Sequence, residues 1–191
     1  MITRRQILSA GAVAAIALPT LKPATAMAGT RQSAAASIAA DSSDRRIVTL
    51  KHMHTHEEAS FRVLGSGPLS SDDLKRFNHF MRDHHDGKVG NMDPALIFHL
   101  YTLQQELEAP TTPFEVLSAF RSSRTNRALR QRSKKVAVKS MHLKGQALDI
   151  RMPGVKLKDL RQAAVDLKVG GVGYYRRSQF IHFDTGAVRY W

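Results

Sequence analysis

The 191-residue chain is 42% hydrophobic and has no cysteine, so one domain-sized core is within reach while disulfides, thiolate metal sites and cysteine nucleophiles are excluded. Its 29 Lys and Arg against 16 Asp and Glu give a formal charge of +13, which attracts polyanions. No window approaches the roughly 18 uninterrupted apolar residues that a membrane span needs.

Residues 1–28 read as a secretory signal and not as part of a fold. Arg4-Arg5 is followed by a short apolar run from Ile7 to Leu18, then by the small-x-small exits Ala24-Thr25-Ala26 and Ala26-Met27-Ala28. Thr3-Arg4-Arg5-Gln6-Ile7-Leu8 resembles a twin-arginine export signal, which implies a bacterial periplasm or the outer face of the membrane. That route carries proteins already folded, which suits one that acquires a metal early. The segment supplies only Arg4, Arg5 and Lys22 of the basic excess, so the remainder stays strongly cationic. For an exported chain of this charge, anionic envelope polymers are expected as partners ahead of nucleic acid; a solvated basic surface is the plainer alternative. Residues 29–46, rich in Ala, Ser, Thr and charge without periodicity, read as a flexible linker. A single folded domain over 47–191 is left.

That domain opens with an alternating strand at 47–51, and 59–64 looks like its hairpin partner. Ser70-Ser71-Asp72-Asp73 is an N-cap cluster, followed at helical spacing by Leu74, Phe77, Phe80 and Met81. A second helix starts at Asp93-Pro94 and runs through Leu107. Residues 114–120 read as a buried strand ending in Arg121-Ser122-Ser123, and 126–132 as a short basic helix. A strand at 146–152, a helix marked by Leu157, Leu160, Ala164 and Leu167, and strands at 172–175 and 179–184 complete the core, with 188–191 as an edge. Helices gathered first and strands later predict an α+β domain with a small, mainly antiparallel sheet.

Two segments carry the chemistry: Ser140-Met141-His142-Leu143-Lys144-Gly145-Gln146-Ala147-Leu148-Asp149, and Phe180-Ile181-His182-Phe183-Asp184-Thr185-Gly186. In a strand alternate side chains share a face, so His182 and Asp184 point together while Ile181 and Phe183 point into the opposite layer. Gly145 gives the turn between His142 and Asp149 the freedom to bend back. Two imidazoles and one or two carboxylates are the inventory of a catalytic zinc site with an open position. By spacing alone, a His-x-Asp pair and a His and Asp seven apart serve equally well as hydrogen-bonded pairs.

Further matches lie along the chain: His54-Thr55-His56-Glu57, Asn78-His79-Phe80, Ser118-Ala119-Phe120-Arg121-Ser122, Thr125-Asn126 and Gly171-Val172-Gly173-Tyr174-Tyr175. Together with the two segments above, they make 46–191 resemble the zinc D-alanyl-D-alanine carboxypeptidase-like peptidases, and more closely the exported murein endopeptidase family typified by MepK (also called YcbK). The resemblance implies a Hedgehog/D,D-peptidase-like fold, with His142, Asp149 and His182 as ligands of a Zn2+ whose water attacks a peptide carbonyl of peptidoglycan. It makes Arg121 the group that holds a substrate carboxylate or the oxyanion. Many members of the wider group place a Glu three residues before the last ligand, where this chain has Gln179. Asp184 is then either the substitute base or the group that orients His182. Ser140 either donates to the substrate or caps a turn. The alternative to a peptidase is a catalytically weak peptidoglycan-binding module that keeps the fold.

Other features attract attention without joining the site. His52, His54 and His56 alternate as if to line one strand face, a metal-binding pattern, although the resemblance makes His54 and His56 part of a hairpin. His84-His85-Asp86 is expected at a helix C-terminus, where the dipole favours an imidazole. The run from Arg121 to Lys139 is densely basic, but Phe120 is its one flanking aromatic. The stacking platforms of single-strand binders are therefore missing, and an anionic wall polymer suits the run better than nucleic acid.

Overall fold

The computed structural model describes residues 46–63, 69–134 and 136–191, so the signal expected at 1–28 and nearly all of the linker expected at 29–46 lie outside the described residues. β1 (Ile47–His52) and β2 (Glu58–Arg62) form an antiparallel hairpin in which Val48 faces Phe61 across the ladder. The alternation of β1 buries Val48, Leu50 and His52 and leaves Ile47 and Lys51 outside. α1 (Ser71–Phe80) starts where the Ser70 hydroxyl accepts from the Asp73 amide, with Asp72 and Asp73 complementing the positive helix end. Its Phe77 packs edge to face on Phe61, ring centroids 5.3 Å apart. α2 (Ala95–Glu106) buries Leu96, Leu100 and Leu103.

β3 (Phe114–Ser118) leads into α3 (Ser123–Arg132), whose first turn is capped by the Ser122 hydroxyl. β4 (Ala147–Arg151), α4 (Leu157–Asp166), β5 (Gly171–Tyr175), β6 (Phe180–Asp184) and the short β7 (Arg189–Tyr190) follow. The architecture is α+β, with four helices among the described residues, none of them long and apolar enough to cross a membrane.

The sheet differs from the expected small, mainly antiparallel one. It has seven strands in the order β2-β1-β3-β4-β6-β5-β7 and is mixed. β3 returns parallel to β1 after the two-helix excursion through α1 and α2, and β7 lies parallel to β5. A long helical crossover permits parallel pairing, which local patterning does not encode. The expected hairpin, helices and strands otherwise occur within a few residues of their predicted bounds.

Pairing fixes which side chains share a face. In β4 and β6, Leu148 lies opposite Phe183 and Ile150 opposite Ile181, all fully buried in the core. One residue along, Asp149 lies opposite His182, and Ala147 opposite Asp184, on the other face. Between Val116 and Ser118 the register of β3 shifts, which brings Ser118 opposite Asp149. One face of the strands is thus core and the other carries polar chemistry.

Candidate metal centre

His142 sits on a short 3-10 helix (Met141–Lys144) directly before β4. The Ser140 hydroxyl accepts from the His142 amide and caps that turn, so of the two roles open for Ser140 the cap is the one seen. Gly145 ends the turn at φ 69°, and a Cβ there would collide with the Asn91 carbonyl. The turn therefore needs glycine for both conformation and space. Asp149, centred on β4, and His182, its cross-strand neighbour on β6, complete a set of three.

The reactive atoms converge. His142 Nε2 lies 3.2 Å from His182 Nδ1 and 3.3 Å from Asp149 Oδ1, and His182 Nδ1 lies 3.0 Å from the same oxygen. Among the described residues these three are the only group of His, Asp or Glu with all ligand atoms within 4.8 Å of one another. The opposite ring nitrogens fix the tautomers. His142 Nδ1 donates to the Ala119 carbonyl at 2.6 Å, and His182 Nε2 donates to Asp184 Oδ2 at 2.9 Å. Each ring turns its other nitrogen toward Asp149. Three acceptors this close repel unless a proton or a cation lies between them.

The spacing fits a metal ion. Zinc bonds to nitrogen and oxygen of about 2.0–2.2 Å set tetrahedral ligand atoms about 3.3 Å apart. Burial pushes the Asp149 carboxyl up, but the imidazoles of His142 and His182 outweigh it and hold it well below the usual carboxylate range. Burial lowers His142, with Asp149 opposing. Burial also disfavours a charged His182, yet hydrogen bonds to Asp149 and Asp184 raise it above its ordinary value.

Asp184 stands behind His182, fully buried. Its Oδ1 accepts from the Gly171 and Gly186 amides and its Oδ2 from Arg189 at 2.6 Å, besides the bond to His182. Burial alone would raise its pKa; these donors, His182 first, keep it ionised. The carboxylate faces away from the converging lone pairs.

Arg121 stands three residues beyond β3 and is also drawn in. Its backbone amide donates to the His142 carbonyl, and its guanidinium reaches Ser118 Oγ at 3.1 Å and stands 3.8 Å from Asp149 Oδ2. Burial lowers its pKa, and Asp149 counters. Arg121 and the three converging residues line one cleft of about 390 Å3 with Lys139, Tyr175, Phe180, Arg189 and Trp191. Gln179 is not among the lining residues; its amide donates to the Arg176 carbonyl.

The aromatic wall of that cleft was missed in the sequence, though a signal existed. Gly173 lies opposite His182, and a Cβ there would come within 2.6 Å of the Trp191 indole. Glycine inside a strand marks such a close approach. Trp191 lies 5.4 Å from the His182 ring and donates through its indole nitrogen to the Tyr175 hydroxyl.

The other imidazoles do not line a strand face. β1 ends at His52, the chain turns, and His56 takes φ 59°. His84 lies beyond the end of α1, not on it, and stacks on His54 at 4.1 Å.

Comparison with known proteins identifies the family. The model of the family described as "Peptidoglycan L,D-endopeptidase MepK" matches residues 40–191. The chain is 40% identical over 190 residues to the peptidoglycan L,D-endopeptidase MepK of Escherichia coli strain K12, covering 98% of this chain and 96% of that one. A probable peptidoglycan L,D-endopeptidase MepK of Haemophilus influenzae is 40% identical over 146 residues, 76% of this chain and 78% of that one. The matched family is one of peptidases, and the His/Asp/His cluster is the group in this chain that could hold a metal ion. The chain belongs to the peptidoglycan L,D-endopeptidase MepK family.

Proposed function

We propose that this protein is a zinc-dependent endopeptidase that hydrolyses peptide cross-links or stem peptides of peptidoglycan, at an L,D bond as the names of its relatives indicate. The observation that carries the reading is the meeting of three ligand atoms at 3.0–3.3 Å, each held by a hydrogen bond or strand register. His142, Asp149 and His182 would hold the ion. Zinc supplies Lewis acidity and a bound water whose pKa falls to roughly 7.

The chain's own residues do the rest. Arg121 binds a substrate carboxylate or the charge that develops on the carbonyl oxygen. Asp184 is a positioning residue: it holds the proton on His182 Nε2, so that Nδ1 faces the cleft. Of the two roles open for Asp184, its burial behind the ring and its four other bonds favour this one over proton transfer to substrate. Tyr175, Phe180 and Trp191 give the cleft an aromatic wall.

The fold is of the Hedgehog/D,D-peptidase-like kind in this reading. Residues 1–28 act as a twin-arginine signal that delivers the domain at 47–191 to the periplasm. Digestion of purified sacculi by the zinc-loaded protein should release new muropeptides, identified by mass, and chelation should stop it. Undiminished release after chelation would overturn the zinc mechanism.

A second reading, a wall-binding module of low activity, draws on one observation. Among the described residues, no carboxylate other than Asp149 lines the cleft. Binding to sacculi without new products at saturating zinc would favour it.

A further inference from the structure

α3 is unusual for a ten-residue helix. It carries Arg124, Arg127, Arg130 and Arg132 and no acid, and the sequence has none between Glu115 and Asp149. Arg124 sits in the first turn, at the positive end of the dipole, where a cation is unfavourable. Arg124, Arg127 and Arg130 follow one another at three-residue spacing, so like charges are neighbours on one face. The helix is held from below instead. Ser122 caps it, and the buried Asp83 carboxylate accepts from the Ser122 amide at 2.8 Å. Local energetics oppose Arg124 and the run of like charges, whereas Arg130 and Arg132 suit the negative end of the helix, so the full pattern needs another cause.

All four are exposed, as are Lys134 and Lys139 beyond the helix, and no carboxylate of the described residues pairs with any of the six. Arg124 and Arg132 border a cavity of about 300 Å3 floored by Leu129. Asp86 also borders it, but its oxygens already accept from Ser122 Oγ and the Lys88 amide. The wall of the metal-centre cleft begins at Ser133, the residue after the helix, and includes Lys139. The chain that leaves α3 therefore becomes part of the cleft wall, through Ser133, Val136, Ala137 and Lys139.

We infer that α3 and the segment behind it form an exosite for the carboxylate-bearing peptides of an extended peptidoglycan network, seating polymer whose neighbouring peptide occupies the cleft. The inference rests on the peptidoglycan reading of that cleft. Continuity with the cleft and the unneutralised charge favour this occupant. A membrane-surface helix would present large apolar side chains outward, whereas the outward residues of α3 are Arg, Gln, Ser and Ala. A nucleic-acid strip would interleave aromatics, and none lies between Phe120 and Tyr174.

The test uses the zinc-loaded protein and the variant R124Q/R127Q/R130Q, with R124K/R127K/R130K keeping the charge. Sacculus binding in a pull-down should weaken about tenfold in the glutamine variant at low salt. The difference should vanish near 1 M salt, where screening reaches about 3 Å. Cleavage of a small soluble cross-linked muropeptide should stay within twofold, and the lysine variant should bind like the unaltered protein. The thermal midpoint of the glutamine variant should be equal or higher, since like charges are removed. Unchanged sacculus binding by the glutamine variant overturns the exosite, as does tighter binding of the unaltered protein to anionic vesicles or duplex DNA than to sacculi. Failure of the unaltered protein to cleave the soluble muropeptide counts against the proposed function instead, and the pull-down still decides the exosite.

Discussion

Two groups of imidazoles lie in this domain, and they are built on opposite principles. At the candidate metal centre, His142 and His182 each spend one nitrogen on a protein acceptor and turn the other toward Asp149. In the second group, His54 and His84 stack face to face at 4.1 Å, His85 tilts against His84 at the same distance, and His52 lies beneath. His52 Nδ1 accepts from the backbone amides of His54 and Thr55, and its Nε2, buried, has no partner. That nitrogen carries the proton and offers no lone pair to a cation. The second group has four histidines against two; what it lacks is an acid that draws ring nitrogens to a common point.

The sharpest way to break this comparison is to remove one ligand. His142→Ala should abolish muropeptide release, on the order of 10³-fold or more, because the several kcal/mol of charge stabilisation from the metal are lost at 1.36 kcal/mol per tenfold. Bound zinc by elemental analysis should fall with it. The double variant H54A/H84A should keep its zinc content. Zinc lost equally from both proteins would show that the second group binds metal too.

β6 allows the same contrast within one strand. His182 faces the cleft, while Phe183, fully buried against the core, faces the helices. Phe183→Ala should cost about 3–5 kcal/mol of stability, read as a lower denaturant midpoint, with zinc bound normally by the folded fraction. This alternation was legible in the sequence, since Phe180-Ile181-His182-Phe183-Asp184 assigns faces by period two alone. So was the meeting of His142 with Asp149, through the glycine turn. The order of the strands was not. Nothing local in Gly171-Val172-Gly173 or Arg189-Tyr190 says that β7 returns parallel beside β5, and without that pairing Trp191 and Arg189 cannot be assigned to the cleft. The position of Asp184 was half legible: the shared face with His182 was, but its capture by Arg189 and two backbone amides depends on the same unread pairing.

Asp184→Asn probes that orienting role with a smaller expected effect. An amide leaves the His182 ring free to change tautomer and strips Arg189 of its ion pair. Zinc affinity should fall about 10- to 100-fold, measured by competition with a chelator, and activity at saturating zinc should recover in large part. Were Asp184 the proton acceptor for substrate, zinc affinity would hold and the rate would collapse at every zinc concentration.

The smallest effect belongs to the second group. Burial, reinforced for His52 by His54 and Arg82 and for His84 by His54 and His85, lowers both to about 4, with Glu57 and Asp83 respectively pulling the other way. Unfolded, both take up protons near their ordinary value of 6.5. Between pH 6.5 and 4 the unfolded chain therefore binds more protons than the native one, and stability falls as pH falls. His99 and His142, also lowered, add to that slope, and His182, raised, opposes it. His84→Phe keeps an aromatic ring against His54 and removes one contributor. Because His84 is partly exposed, screening limits its share to less than about 1 kcal/mol, a thermal-midpoint difference of at most roughly 2–4 °C. The drop in midpoint from pH 7 to 4.5 should be smaller by that amount in the variant, while its zinc content stays unchanged. Parallel drops in the two proteins would mean that the stacked imidazoles already share their protons with solvent when folded, and the contrast with the metal centre would then rest on geometry alone.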